Sequence, residues 1–587
     1  MESTDRPLSR RAWLATVAGA GVTTTAGCLD LLGTNGGGGD GSSILELTIK
    51  APPSDEDPAA TEIARRLTEH LDEIGVDVSL MPRLAPQRYQ DVHIEGDFQL
   101  VVSRTPRITD PDDLRPMLHS DFAEETGEWL NPFGLIDETT DELLDKQRVL
   151  EGVERQQVVS EFQEHFIDET YPFAPVIVPD ELTAVTIHMP LFHRPAGTEE
   201  AGDILGLEHV EGRSTLRIGI LEGQVTENLN PLTGQYVGRD LVTGLLYDPL
   251  IRIIGDRQLP WAAREVAWTI GVGDRPDATV RLREGLTWHD GEPVTPEDVQ
   301  FTYEFLGNLA DGEANITHQA SAYASQISLV DSVELTDDDS VKFTFVETTK
   351  EVAERVFNLP LFPEHIWQNY HGFDEDAGVP EPLTVMNHNP VGSGPFELLE
   401  RNGGSYLVLE RYEGHLPTQV HRDEQPGESI ERVELIVPTH PPSIGTAVNH
   451  VADGNLDLIS HVPHDGVRTV LDADAVSLIS RQSKRLYIIG FNVRRTPTDD
   501  LALRHILGRL IDRTFIVPAV FRAYAAAADS PMAGTRYIAP SLVWEDRSVL
   551  GSFPGSGGFI DVHAARSLFE DAGYEYDESR DVILLPE

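Results

Sequence analysis

Hydrophobic positions in the front part of the chain follow two periods. Residues 44–50, ILELTIK, alternate apolar and polar side chains, the pattern of a half-buried strand. In residues 59–74, Ile63, Leu67, Leu71 and Ile74 recur at three- and four-residue steps, which predicts a helix with one buried face. Residues 76–80 and 98–103 read as strands, 142–169 as a long helical stretch, and 173–178, FAPVIV, as an apolar extended segment. Strands alternating with helices point to βαβ units. A polar, glycine-bearing stretch at about 195–213 reads as a linker. A second block opens with the alternating residues 216–220 and runs as mixed strands and helices to Glu587, without a repeat period. Within it, 342–346 and 406–411 read as half-exposed antiparallel strands.

Ahead of residue 44 the pattern changes. Ser9-Arg10-Arg11-Ala12-Trp13-Leu14 precedes a weakly apolar run at 15–24, then Thr25-Ala26-Gly27-Cys28. A basic entry, a short apolar run and small residues before a cut site describe an export signal. The run is too short to cross about 30 Å of hydrocarbon. Paired arginines mark the twin-arginine route, and Cys28, the only cysteine, stands where a lipid would be attached. Residues 33–43, GTNGGGGDGSS, read as a flexible tether. The expected location is the outer face of the cell membrane, with the lipid as the only membrane contact and no intramolecular disulfide.

Composition adds a setting. Ninety-eight acidic residues against 45 basic ones leave a formal charge of −53, and only Lys50, Lys146, Lys342, Lys350 and Lys484 are lysines. Such a surface repels itself in dilute buffer, and salt relieves this because the Debye length falls to about 3 Å at 1 M. A halophile, of archaeal type, is the expected source. The charge argues against nucleic acid as a partner, because phosphate binding needs clustered Lys and Arg.

Four stretches of the second block are more specific: Asn228-Leu229-Asn230-Pro231-Leu232 followed by Tyr247-Asp248-Pro249-Leu250; residues 280–299, VRLREGLTWHDGEPVTPEDV; Pro390-Val391-Gly392-Ser393-Gly394-Pro395-Phe396; and Ile488-Ile489-Gly490-Phe491-Asn492 running into 499–516. Each has a local structural explanation. Asp290-Gly291 suits a hairpin turn; Thr295 suits a helix cap before Pro296, with Asp298 as its partner; Gly392 and Gly394 suit a tight turn before a strand. His289 is expected in a solvated turn. In this order the four stretches closely resemble the extracellular solute-binding proteins of family 5, the dipeptide, oligopeptide and nickel class that serves ABC importers.

The resemblance implies an α/β, bilobal fold of the class II periplasmic-binding-protein type, with two lobes joined by hinge strands around a central cleft. It implies a monomer that captures a peptide-like or other small polar solute and delivers it to permease subunits. Residues 44–200 resemble the family's C-terminal third, placed ahead of the rest, so a circular permutation is expected: 1–28 signal, 29–43 tether, 44–200 part of lobe 2 with a return strand, 213–489 lobe 1 with its subdomain, and 490–587 the remainder of lobe 2. The competing arrangement is two independent domains. Matching positions nominate Asn230, Tyr236, Phe491 and Asn492 as solute contacts. Arg107 takes the place of the family's amine-binding aspartate; an arginine favours a carboxylate, phosphate or aromatic face. Trp129 and Asn131 are weaker candidates, with packing and turn formation as their ordinary roles. A surface lipoprotein that senses without transport is one alternative. An extracellular hydrolase is another, although no Gly-x-Ser-x-Gly, His-Glu-x-x-His or phosphate-cradling loop is present and His440 and His450 lack metal-like spacing. No catalytic residue, metal or cofactor is expected.

Overall fold

The computed structural model describes residues 43–586 except 124–129, 189–200, 206–213, 233–238, 255–256, 272–274, 312–322, 337, 371, 375–378, 422–429 and 546. Twelve strands build one large sheet: β1 Glu46–Ala51, β2 Asp77–Pro82, β3 Leu100–Arg104, β4 Phe173–Thr186, β5 Thr215–Gly219, β6 Phe396–Asn402, β7 Tyr406–Arg411, β8 Arg432–Ile436, β9 Leu458–Ile459, β10 Val476–Gln482, β11 Tyr487–Phe491 and β12 Ala525–Ala527. The spatial order is β6-β7-β8-β5-β9-β4-β11-β3-β1-β2, with β10 and β12 also paired to β4. β1, β2 and β3 are mutually parallel, as are β8, β5 and β9. β4 joins the two groups: residues 173–177 pair with β11, and residues 180–186 pair with β10 and β9.

The first βαβ unit forms where the periodicity predicts it. Helix α1, Pro58–Ile74, starts with Asp57 accepting from Ala60 N at 3.0 Å and with Pro58 at its first position, where a missing N–H costs nothing. It stops at Gly75, whose φ of 97° only glycine adopts readily. Ile63, Leu67, Leu71 and Ile74 are fully buried, in one core with Leu47 and Ile49 of β1. Burying each such side chain contributes about 1.5–3 kcal/mol.

That core draws on both parts of the chain, Leu45 to Val178 together with Leu486 to Ile583. Residues 44–178 therefore belong to a first body completed by the rear of the chain, rather than to an independent domain. Ile44 bridges Leu584, Leu45 N donates to Ile583 O at 2.9 Å, and Leu585 N donates to Ser43 O at 2.8 Å. The second body has its own cores. One surrounds a four-stranded sheet of Val330–Leu335, Val341–Phe345, Pro276–Leu282 and Ala263–Ile270, in that order, and holds Trp288 and Trp367. Two others flank the β5, β8 and β9 half of the large sheet. The bilobal α/β expectation is met.

The signature stretches pack against one another. Thr295 and Asp298 exchange hydrogen bonds across the helix start, Asp298 N to Thr295 Oγ1 at 3.4 Å and Thr295 N to Asp298 Oδ2 at 2.8 Å. His289 is half-buried, contrary to the solvated turn expected of it. Its Nε2 lies 3.0 Å from Gly394 O, and Gly392 N lies 3.3 Å from its Nδ1. Burial pushes its pKa down to about 4, against the pull of Gly394 O and Asp248. Gly392 and Gly394 are needed for a different reason from the turn expected of them. A Cβ at Gly392 would stand 1.9 Å from Leu246 O, and one at Gly394 2.4 Å from Leu245 O, so a backbone runs where side chains would be.

Candidate site between the two bodies

The carboxyl ends of β1 and β3 belong to the first body and those of β5 and β9 to the second, and β4 is the strand paired in both. Ligands of α/β sheets gather at such carboxyl ends, where strand order reverses. Arg104 ends β3. Its Nε is committed to Asp57 Oδ2 at 3.0 Å and to Tyr487 OH at 2.7 Å, and its guanidinium sits 4.9 Å from the Tyr487 ring centre. The Nη groups have no hydrogen-bond partner among the described residues. Asp57 serves twice, as the cap of α1 and as the anchor of Arg104. The Arg104 side chain is 42 % exposed. Burial alone would lower its pKa; Tyr487, Asp57 and Glu222 outweigh that and raise it. Burial raises the Tyr487 phenol in turn.

Glu222 faces this group from the loop after β5. Its carboxyl is pushed above the ordinary range, first by desolvation and then by Asp57 and Glu56, with Arg104 and His461 pulling the other way. Arg104 on the first body and Glu222 on the second each contribute to the other's shift. A cavity of about 20 Å³ lies beside Glu222, lined by Ile220, Leu221, Leu241, Leu435, Ser460 and His461. His461 holds a φ of 54°, and its Nδ1 lies 2.5 Å from Ser460 Oγ. A non-glycine residue held at positive φ is a form of stored strain that clusters at ligand sites. A second, larger concavity of about 1020 Å³ has one wall from Arg115, Phe122, Arg148 and Val149 and the other from Tyr303, Ile327 and Glu347. This concavity lies between the two bodies, whereas the smaller cavity is lined by the second body alone.

Of the residues nominated from sequence, Arg107 lies on the loop leaving β3, half-buried, three positions beyond Arg104. Asn230 is buried and spent internally: its amide donates to Pro382 O at 2.7 Å and Val385 O at 3.0 Å, and its carbonyl accepts from Leu232 N. Asn131 is fully buried and satisfied by His119 O, Leu135 O, Gly134 N and Leu135 N. Asn492 donates to Gly96 O and accepts from Arg494 N, and Phe491 is fully buried beside Tyr171. These four side chains are engaged in internal hydrogen bonds or core packing. Tyr236, Trp129 and Cys28 lie outside the described residues. Sequence reasoning passed over Arg104, Asp57, Tyr487 and Glu222. The available signal was a charged residue closing an otherwise apolar strand, Leu100-Val101-Val102-Ser103-Arg104.

Two other clusters invite a chemical reading. Thr418 Oγ1, His415 Nδ1, His415 Nε2 and Asp248 Oδ2 follow in line at 2.9 Å each, a hydroxyl–imidazole–carboxylate chain. All three residues are buried, so no substrate reaches the hydroxyl, and the carboxylate also serves Arg252 and Trp261. Asp91, Glu95 and Asp97 stand close enough to share a cation. Lys50, Arg83 and Arg495 already supply that charge to Asp91 and Asp97.

Residues 272–585 match the family model described as bacterial extracellular solute-binding proteins, family 5 Middle. Among curated proteins, the dipeptide-binding protein of Escherichia coli strain K12 is 20% identical over 318 residues, covering 52% of this chain and 54% of that one. Heme-binding protein A of Haemophilus influenzae is 23% identical over 334 residues, covering 54% and 55%. The chain thus spans about half the length of the curated relatives it matches. Among solved structures, the oligopeptide-binding protein AppA of Bacillus subtilis, in complex with a nonapeptide, aligns at a TM-score of 0.44 and 18% identity, covering 64% of this chain and 68% of that one.

Proposed function

The chain belongs to the extracellular solute-binding proteins of family 5, and from that membership we propose that it captures a small polar or peptide-like solute between its two bodies for an ABC importer. The observation that carries this reading is Arg104 at the carboxyl end of β3, held through Nε by Asp57 and Tyr487 while its half-exposed side chain keeps both Nη groups without a hydrogen-bond partner among the described residues. A group that is enclosed from two sides contributes contacts only when the bodies meet, so solute and closure stabilise each other. Arg104, oriented by Asp57 and Tyr487, offers its two Nη groups to an acceptor such as a carboxylate. Glu222 offers a carboxyl to a donor such as an amine. Arg107 remains a candidate contact on the loop leaving β3, and Tyr236 and Trp129 remain candidates from the sequence alone.

Export by the twin-arginine route and a lipid on Cys28 would hold the protein at the outer membrane face, with the glycine-rich tether as spacer. Residues 44–200 would be the family's C-terminal third carried to the front. The shared core and the bridge between Ile44 and Leu584 support that arrangement. The acidic surface supports a life in concentrated salt.

Mass spectrometry of small molecules released from protein purified in high salt tests the proposal. A solute should be recovered reproducibly from the wild-type chain and lost from Arg104→Gln and Glu222→Gln. Recovery of no solute, together with no thermal stabilisation by any member of a peptide and polar-solute panel, would overturn it.

A further inference from the structure

The two bodies meet again away from Arg104, and this contact is ionic. Beyond β3 the chain turns at Pro111–Leu114, capped by Asp110, and gathers the carboxylates of Asp110, Asp112 and Asp113. Asp112 is fully buried. Its oxygens receive Arg148 Nε at 2.5 Å, Arg148 Nη2 at 3.0 Å and Gln147 Nε2 at 3.2 Å. Asp110 receives Arg155 Nη2 at 2.7 Å. All of these belong to the first body, and they leave three negative charges facing two positive ones.

The balance comes from the second body. Arg355 Nη1 lies 3.4 Å from both Asp110 and Asp112, and its Nη2 pairs with Asp113. Ser325 Oγ lies 3.4 Å from Asp112 and 3.3 Å from Asp113. In return, Arg148 donates to Ser328 Oγ at 2.8 Å, and its carbonyl accepts from Thr349 N at 2.8 Å. The apolar cores of the two bodies remain separate clusters, so the contact is polar, the character of interfaces that open and close. Separating the bodies would strip Arg355 of three carboxylates and leave the turn with an uncompensated charge.

We propose that Arg355 and the Asp110–Asp113 turn form an ionic lock that holds the two bodies together without a solute. Its bearing on uptake rests on the reading that the solute sits between those bodies. A lock outside the solute site raises the fraction of molecules already in the retaining arrangement, and apparent affinity scales with that fraction. Part of the solute's retention then comes from residues that never touch it, and release requires Arg355 to leave the turn.

Small-angle X-ray scattering of the dialysed, solute-free full chain in high salt tests the lock. Arg355→Gln should show a larger radius of gyration and maximum dimension than the wild type. The exchanged pair Asp113→Arg with Arg355→Asp should return towards the wild-type curve. Arg355→Lys, which keeps the charge but loses the planar fork, should fall between. Superimposable curves for wild type and Arg355→Gln would overturn the proposal. Should the variants fail to fold, hydrogen exchange of wild-type protein decides: the Thr349 amide should be protected without solute, and rapid exchange there would also overturn the lock. None of these measurements needs a solute. Failure of the lock is therefore distinguishable from failure to recover one.

Discussion

Replacing Asp248 by alanine should be among the most damaging single changes to the second body. Its side chain is 1 % exposed and serves three donors: Arg252 Nη2 at 3.0 Å, Trp261 Nε1 at 2.6 Å and His415 Nε2 at 2.9 Å. Alanine removes the buried carboxylate that Arg252 and His415 meet and takes the acceptor from the indole N–H. Breaking a buried pair by removing one partner costs about 3–5 kcal/mol. The expected loss is therefore about 4 kcal/mol, close to a thousandfold in the folding constant at about 1.4 kcal/mol per decade. Urea unfolding at fixed KCl, followed by tryptophan fluorescence, reads this without changing ionic strength. Because the cluster is out of reach of screening ions, the loss should be the same at low and high KCl. Burial opposes the charged form of Asp248, but His415, Arg252 and Trp261 outweigh it and hold its pKa below the ordinary value. A depressed carboxyl contributes stability that is present above its unfolded pKa and is lost as pH falls through the folded one. The variant should lack that part of the acid sensitivity. A loss under about 1 kcal/mol, or one that vanishes in salt, would show that the cluster is not the closed ionic unit its distances describe.

Gly392→Ala should destabilise by about 1–3 kcal/mol, seen as a lowered melting temperature, because its methyl would displace the Leu246 carbonyl. Asn131→Ala, which empties four internal hydrogen bonds of a buried turn, should cost about 2–3 kcal/mol in urea unfolding. The folded variant should still retain solute, in contrast to Arg104→Gln. That change should abolish solute retention by mass spectrometry while lowering stability by under about 1 kcal/mol, since the Arg104–Asp57 pair opens to water.

Elements governed by local period were legible in the sequence. The helix at 58–74, its strand partners and the Thr295–Asp298 cap all follow from spacing and capping chemistry a few residues apart. Site residues were less legible, for two physical reasons. Asparagine in a turn motif satisfies backbone groups as readily as it contacts a solute, and Asn230, Asn131 and Asn492 all do the former. Conversely, Arg104 and Tyr487 lie 383 positions apart in the sequence, and only the pairing of β3 with β11 sets them side by side. His289 shows the same limit from the other side. Its half-buried place is created by a segment about a hundred positions later, through Gly392 and Gly394.

The same reasoning bears on the order of segments along the chain. The first body's core needs Ile49, Leu67 and Phe173 beside Ile489, Leu507 and Phe569, wherever each stands in the sequence. What an exchange of segment order must preserve is the set of crossings between bodies and a short path between the points that are rejoined. Both conditions hold here. β4 runs through both bodies, paired with β11 in the first and with β10 in the second, and Ser43 lies within a hydrogen bond of Leu585. A permuted family member is therefore energetically reasonable, because linking nearby ends costs little loop-closure entropy, and entropy grows only slowly with loop length. The proposed solute gap would be indifferent to such a permutation for the same reason. Its two walls are the carboxyl ends of parallel strands, and their direction is set by pairing within the sheet rather than by which strand is synthesised first.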